Sequence, residues 1–228
     1  MIFRQLFEHK SSTYTYLLAD AETREAILID PVLEQTDSYL RLLKELDLTL
    51  KYALDTHVHA DHVTALGRLR DVTGAKSMMG KQSDVACASG WFSDGDTLVV
   101  GGLRVTALFT PGHTDDSYCF YLPEQKMLFT GDTLLIRGTG RTDFQNGDAR
   151  AQYQSLQRLL AMPGDTQVWP AHDYKGWTSS SLAEEQAHNP RLQVSDVEAY
   201  VELMANLKLP NPKMMDVAVP ANKGCGVS

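Results

Sequence analysis

The sequence predicts an α/β protein, a four-layer αββα sandwich in which two mixed β-sheets face each other and are flanked by helices. Two observations carry this expectation. The chain opens with a run of short strand patterns followed by a helical stripe, and a second β-rich run past its midpoint is again followed by amphipathic helices. The residues best suited to chemistry fall just beyond apolar strand patterns, as they would if strands of both sheets ended along one edge.

Ile2 to Phe7, Thr13 to Ala19 and Glu25 to Ile29 read as successive strands of a β-meander. Ser38 to Leu46 brings Tyr39, Leu42, Leu43 and Leu46 to one helical face. Leu50 to Leu54 is a short apolar strand, and the spacing of Leu66, Leu69 and Val72 after it is helical. Thr97 to Val100 and Leu103 to Phe109 flank Gly101-Gly102, a two-residue hairpin turn, and Tyr118 to Leu122 and Met127 to Thr130 supply two further strands. Asp148 to Leu160 offers a helix with Tyr153, Leu156, Leu159 and Leu160 aligned, and Val168 to Ala171 returns to strand. Ser181 with Glu184, and Ser195 with Glu198, have the spacing of capping boxes that start C-terminal helices. These apolar stripes read as core. With 228 residues, 43% of them hydrophobic, and no Pro/Gly/Ser linker or repeat, one domain over 1–228 is expected, with a short C-terminal helical extension from about residue 180.

The balance of 29 acidic against 21 basic residues, net −8, disfavours a nucleic-acid partner and points to small-molecule chemistry. No apolar run is long enough for a membrane span, and Met1-Ile2-Phe3-Arg4 starts a strand without a signal-like apolar stretch. Cys87, Cys119 and Cys225 are odd in number and scattered without metal spacing. The expectation is therefore no disulfide framework and a reducing, cytoplasmic setting, with Cys225 an inert exposed thiol beside Gly224 and Gly226.

His57-Val58-His59-Ala60-Asp61-His62 packs three imidazoles and a carboxylate into one strand-to-helix loop. Such side chains gain most as metal ligands or proton carriers, and an exposed strand or helix has little physical reason to crowd them. His113 follows in the sharp turn Thr110-Pro111-Gly112-His113-Thr114, Asp132 comes directly after the strand ending at Gly131, and His172 comes after Val168-Trp169-Pro170-Ala171. Four strand ends thus deliver candidate ligands, and a metal site is the economical reading. His9 and His188 stand alone and read as surface or core residues.

His57, His59, Asp61, His62, His113, Asp132 and His172, in this order, resemble the signature of the metallo-β-lactamase superfamily, which implies its fold. The stretch Asp132 to Gln145, with Gly138-Thr139-Gly140-Arg141-Thr142-Asp143-Phe144-Gln145, is similar to that of the persulfide (sulfur) dioxygenases. So are Pro170-Ala171-His172-Asp173-Tyr174, Asn189-Pro190-Arg191-Leu192, Leu209-Pro210-Asn211-Pro212 and Ala218-Val219-Pro220-Ala221-Asn222.

That resemblance implies one Fe(II) per chain on a facial triad of His57, His113 and Asp132, with glutathione persulfide oxidised by O2 and water to sulfite and glutathione. It implies that His59, Asp61, His62 and His172 orient ligands and move protons, that Asp173 orients His172, and that the protein is a homodimer. Arg141 and Tyr174 are the implied substrate-binding residues, Arg141 for a glutathione carboxylate and Tyr174 for the peptide backbone; Arg137 and Arg191 are weaker candidates. By letters alone all seven ligand-type residues could instead hold two zinc ions. The alternative function is a glyoxalase II-like dinuclear zinc hydrolase of glutathione thioesters, against which stands the short stretch of chain after His172. A metal-bound sensor without activity is the third reading.

Overall fold

The computed structural model describes residues 1–210 and 214–227. The first sheet keeps chain order. β1 (Ile2–Glu8), β2 (Thr13–Ala19) and β3 (Glu25–Ile29) are antiparallel, and β4 (Thr49–Leu54), β5 (Lys76–Gly80) and β6 (Gly90–Phe92) follow in parallel. Helix α1 (Thr36–Glu45) connects β3 to β4, and α2 (Leu66–Thr73) connects β4 to β5. In the second sheet β7 (Thr97–Val100), β8 (Leu103–Phe109), β9 (Tyr118–Leu122) and β10 (Met127–Gly131) run antiparallel. Helix α3 (Ala149–Leu160) crosses to β11 (Gln167–Pro170), which lies parallel to β10, and β12 (Ser180–Ser181) closes that edge. The chain ends in α4 (Leu182–His188), α5 (Val197–Ala205) and α6 (Met215–Lys223).

Side-chain alternation builds three apolar layers from these elements. On β2, Tyr14, Tyr16 and Leu18 face the second sheet and meet Phe120, Leu122 and Phe129 in the central core, while Leu17 and Ala19 point under α1 and α2 with Tyr39, Leu43, Leu66 and Leu69. Both faces of β2 are buried, which is why it reads as an unbroken apolar run. On the far side, Leu128 and Val168 pack against Leu156 and Leu159 of α3 and Leu182, Tyr200 and Met204 of α4 and α5. The expected αββα sandwich is the fold observed. The expected C-terminal extension divides between its two sides. Helices α4 and α5 cover the second sheet, whereas the α6 segment returns to the first, where Val219 and Cys225 join the α1/α2 layer.

Several local expectations need correction. The short strands β5, β6 and β12 carried no strong sequence signal, Lys76-Ser77-Met78-Met79-Gly80 having no β-branched residue. Helix α5 is capped by Asp196, whose carboxylate accepts from the Ala199 N–H, instead of by Ser195; the charged acceptor one residue later wins. The cysteine reading fails at one pair. Cys87 and Cys225, 138 residues apart, form a disulfide, and Cys225 is fully buried in place of being an exposed thiol. Only the return of the C-terminal segment to the first sheet brings them together, and spacing along the chain cannot show that. Cys119 is free and buried.

Candidate metal centre

All candidate ligands lie at one end of the sandwich, beyond the C-terminal ends of strands from both sheets. β4 leads through Asp55 and Thr56 into the 57–62 loop, β8 into the turn carrying His113, β10 into Asp132 and β11 into His172. Two glycines make the close approach possible. Gly131 adopts a positive φ of 51°, and a Cβ there would sit 2.9 Å from the Thr56 side chain; a Cβ on Gly140 would sit 2.4 Å from the Asp132 carbonyl oxygen and 2.7 Å from His113 Nδ1.

His57, His113 and Asp132 offer ligand atoms within 4.8 Å of one another, and His59, Asp61 and His62 form a second such group. His113 Nε2 is 3.3 Å from Asp132 Oδ2, while His172 Nε2 is 3.6 Å from Asp132 Oδ1 and 3.5 Å from Asp61 Oδ2, so Asp132 stands between the two groups.

Hydrogen bonds assign the tautomers of the first group. Asp30, a buried residue at the end of β3, can only accept. Its Oδ2 therefore takes the proton of Thr56 Oγ1 at 3.1 Å, and Thr56 Oγ1 in turn accepts from His57 Nδ1 at 3.0 Å. The lone pair of His57 is left on Nε2. His113 Nδ1 donates to the Arg141 carbonyl at 2.7 Å, again leaving Nε2 free. His59 is turned the other way, with Nε2 donating to Asp30 Oδ1 at 3.0 Å. These are the partners that fix a metal-binding imidazole from behind.

Among the described residues, His59 Nδ1, His62 Nε2 and Asp132 Oδ1 are buried without a hydrogen-bond partner. Buried polar atoms left unpaired are costly, and here they belong to the residue types that bind cations. The residues present therefore fit a metal ion.

Charge follows the same logic. Burial, reinforced by neighbouring imidazoles, holds His57 and His59 well below the ordinary imidazole range. Burial alone would raise Asp132 and Asp61, but the adjacent imidazoles outweigh it: His172, His113 and His57 lower Asp132, and His62 and His172 take Asp61 well below the carboxylate range. His172 goes the opposite way, to about 9, because Asp132 and Asp61 outweigh its burial.

The centre opens into a cavity of about 780 Å³. Its walls include Leu135, Ile136, Leu209 and Pro210, with Lys10, Arg137, Arg141, Lys175 and Arg191 as cations. Arg141 lines the cavity, but its fork is engaged by Asp143, with Nε to Oδ1 at 2.6 Å and Nη2 to Oδ2 at 2.8 Å, and Nη1 donates to the Pro210 carbonyl at 2.7 Å. Arg137 is paired with Glu184 and Glu185. The Arg191 guanidinium donates to the Thr139 carbonyl and hydroxyl and has no carboxylate partner among the described residues. Tyr174 is exposed at the rim, its ring stacked on His172 at 5.9 Å. Asp173 makes no hydrogen bond to His172 among the described residues; His172 Nδ1 is held by the Ser12 carbonyl at 3.2 Å, and Asp173 Oδ1 accepts from the Lys175 N–H. Of the tail motif, Leu209 and Pro210 line the cavity, and Asn211 and Pro212 lie outside the described residues.

Three buried residues were given no role by sequence reading. Asp30 fixes His57 and His59, and Asp116 Oδ2 holds the Val58 N–H at 2.9 Å. Asn222 bonds the backbone of the 57–62 loop from α6. Asp30 had a faint signal, an acid and a proline directly after the apolar Glu25–Ile29 strand; Asn222 ends the 218–222 stretch quoted for its family resemblance, and Asp116 sits in a segment with no ligand pattern.

Residues 10–172 match the model of the metallo-beta-lactamase superfamily. Over 229 residues the chain is 48% identical to the mitochondrial persulfide dioxygenase ETHE1 of Homo sapiens and to that of Mus musculus, covering 100% of this chain and 89% of each relative. The crystal structure of ETHE1 from Myxococcus xanthus superposes with a TM-score of 0.96 at 54% identity and covers 100% of both chains. The hydroxyacylglutathione hydrolase of Francisella tularensis subsp. novicida is 31% identical over 212 residues, 90% of this chain and 82% of that protein. Identity near one half over the whole of this chain, against under one third for the hydrolase, sets the chain with the persulfide dioxygenases. The chain is an oxidoreductase that belongs to the metallo-beta-lactamase superfamily and, within it, to the persulfide dioxygenases.

Proposed function

We propose that this enzyme oxidises glutathione persulfide with O2 and water to glutathione and sulfite, using a single Fe(II) held by His57, His113 and Asp132. The observation that carries the reading is the tautomer pattern. Two imidazoles tied through Nδ1 and one carboxylate converge from three different strand ends, the donor set suited to a facial triad. An Fe(II) ion there would bring the persulfide sulfur and O2 together on its remaining coordination positions.

The rest is the work of side chains. Glutathione carries two carboxylates, and Arg191 is the cavity arginine whose guanidinium is free of acidic partners among the described residues. We read Arg191 as the anchor for one carboxylate, with Lys175 at the rim as a second cation. Arg141 then acts first on its own loop: paired with Asp143 and bonded to Pro210, it keeps its carbonyl on His113. Tyr174 remains the proposed partner of the peptide backbone at the mouth. Leu135, Ile136 and Leu209 give the cavity an apolar wall that limits water around the sulfur. His172, with Asp61 and Asp132 at 3.5 and 3.6 Å, is the proposed group that moves protons as water adds and sulfite leaves.

One observation favours the hydrolase alternative: His59, Asp61 and His62 form a second group with unpaired ligand nitrogens. The deciding experiment is O2 uptake by anaerobically prepared, Fe(II)-loaded protein on adding glutathione persulfide, with a glutathione thioester alongside. Uptake matched by sulfite is expected. Thioester hydrolysis by zinc-loaded protein without O2 uptake would overturn the reading. Homodimer formation and a cytoplasmic location belong to the same proposal; solution scattering and cell fractionation test them.

A further inference from the structure

We infer that Asn222, on the C-terminal helix α6, is a positioning residue for the catalytic centre, setting the 59–64 part of the ligand loop from the side opposite the cavity. Its Nδ2 donates to the His59 carbonyl at 2.8 Å and to the His62 carbonyl at 2.9 Å, and its Oδ1 accepts from the Thr64 N–H at 2.8 Å. One buried amide thus ties three points of the backbone that carries His59, Asp61 and His62.

The fit is particular to asparagine. Two convergent carbonyls need two donors and the Thr64 N–H needs an acceptor; an Asp side chain has no donor when ionised, and Gln is one methylene too long for the same frame. With both carbonyls held outward, the rings of His59 and His62 lie inward against Asp30 and Asp61.

The helix bearing Asn222 is itself fixed to the start of α2. The Cys225 carbonyl accepts from the Gly67 N–H at 2.9 Å, and Cys225 is bonded to Cys87. Gly226 packs so closely that a Cβ there would lie 1.9 Å from the Thr64 carbonyl oxygen. A loop rich in histidines is therefore tied to a helix whose following segment is itself bonded to α2.

Asn222 makes no contact with His57, which is held through Thr56 to Asp30, an acid it shares with His59, and by Asp116 on the next residue. Loss of Asn222 should accordingly disturb the proton-moving half of the centre more than metal retention. This catalytic part rests on the proposed function; the backbone part does not.

The test uses the full chain with Asn222→Ala and Asn222→Asp, the latter keeping shape while losing the paired donors, and Leu159→Ala in the opposite helix layer as a control for general destabilisation. Hydrogen exchange of the metal-free protein should show amides 59–64 exchanging at least tenfold faster in both Asn222 variants, with β9 and β10 unchanged. Iron-loaded variants should keep their metal content and KM within about twofold while kcat falls by roughly 10–100-fold, the range for partners that orient ligands. Unchanged exchange in 59–64, or faster exchange spread equally over both sheets as in Leu159→Ala, overturns the inference. Should Asn222→Ala fail to fold, Asn222→Ser gives the same comparison. If wild-type protein shows no dioxygenase turnover, the proposed reaction fails while the exchange result still decides the role of Asn222.

Discussion

Replacing Asp30 by Asn preserves the shape of a buried side chain and removes acceptors on which two imidazoles depend. In the native protein Oδ1 accepts from the Thr56 N–H at 2.7 Å and from His59 Nε2 at 3.0 Å, and Oδ2 from Thr56 Oγ1 at 3.1 Å. An Asn whose oxygen takes the Oδ1 place points its NH2 at Thr56 Oγ1. The hydroxyl proton is then free to turn toward His57 Nδ1, which moves the imidazole proton to Nε2, the nitrogen proposed to bind metal. Metal binding has to reverse that shift. Loss of an orienting partner of this kind weakens affinity about 10–100-fold, or ~1.4–2.7 kcal/mol. The fold should tolerate the change, because burial raises the Asp30 carboxyl above its usual range and its charge is carried at a cost that Asn removes. Anaerobic chelator competition with Co(II) or Fe(II), alongside melting of the metal-free protein, separates the two effects. Affinity within twofold of wild type would refute the tautomer argument, and a large fall in metal-free melting temperature would refute the claim that the effect is local.

Asp132→Ala should lose metal retention and turnover together; wild-type iron content in that variant would remove Asp132 from the ligand set. Arg191→Ala should raise KM for glutathione persulfide at least tenfold with kcat and iron content nearly unchanged, while Arg141→Ala, by releasing the loop behind His113, should lower iron content as well; steady-state kinetics with metal analysis distinguishes them. Thiol titration should find no reactive cysteine in the native protein, because burial pushes Cys119 up to about 11 and Cys87 is bonded to Cys225, and should find Cys119 alone after unfolding without reductant. For the metal-free protein, His172 is raised from 6.5 to about 9, so its stabilising charge is fully present below pH 6.5 and lost as pH rises through 9. Thermal melting should therefore fall across that window, and a flat profile would show that His172 does not titrate there.

The sandwich was legible because its central strands are long, apolar and bounded by clear turns, as in Thr13–Ala19 and the Gly101-Gly102 hairpin, and because α3 carries both an Asp148 cap and an apolar stripe. The candidate ligands were legible because they cluster, or follow strand ends directly. What escaped depends on three-dimensional return of the chain. Asn222 meets the His59 and His62 carbonyls from more than 150 residues away, and Cys225 meets Cys87 across a separation of 138. Arg141 was readable as a cation near the centre, but its engagement by Asp143, two positions on, was not, since an arginine and a nearby acid in a loop need not face each other.

His57 is supplied by the first sheet, and His113, Asp132 and His172 by the second. An ion bound among them fastens the two sheets together at one edge, and any free energy of binding adds to the stability of the whole sandwich in proportion to the logarithm of free metal. Metal-free protein is therefore expected to open more readily at that edge and to be cut sooner by a protease than metal-loaded protein, which limited proteolysis of the two forms would check.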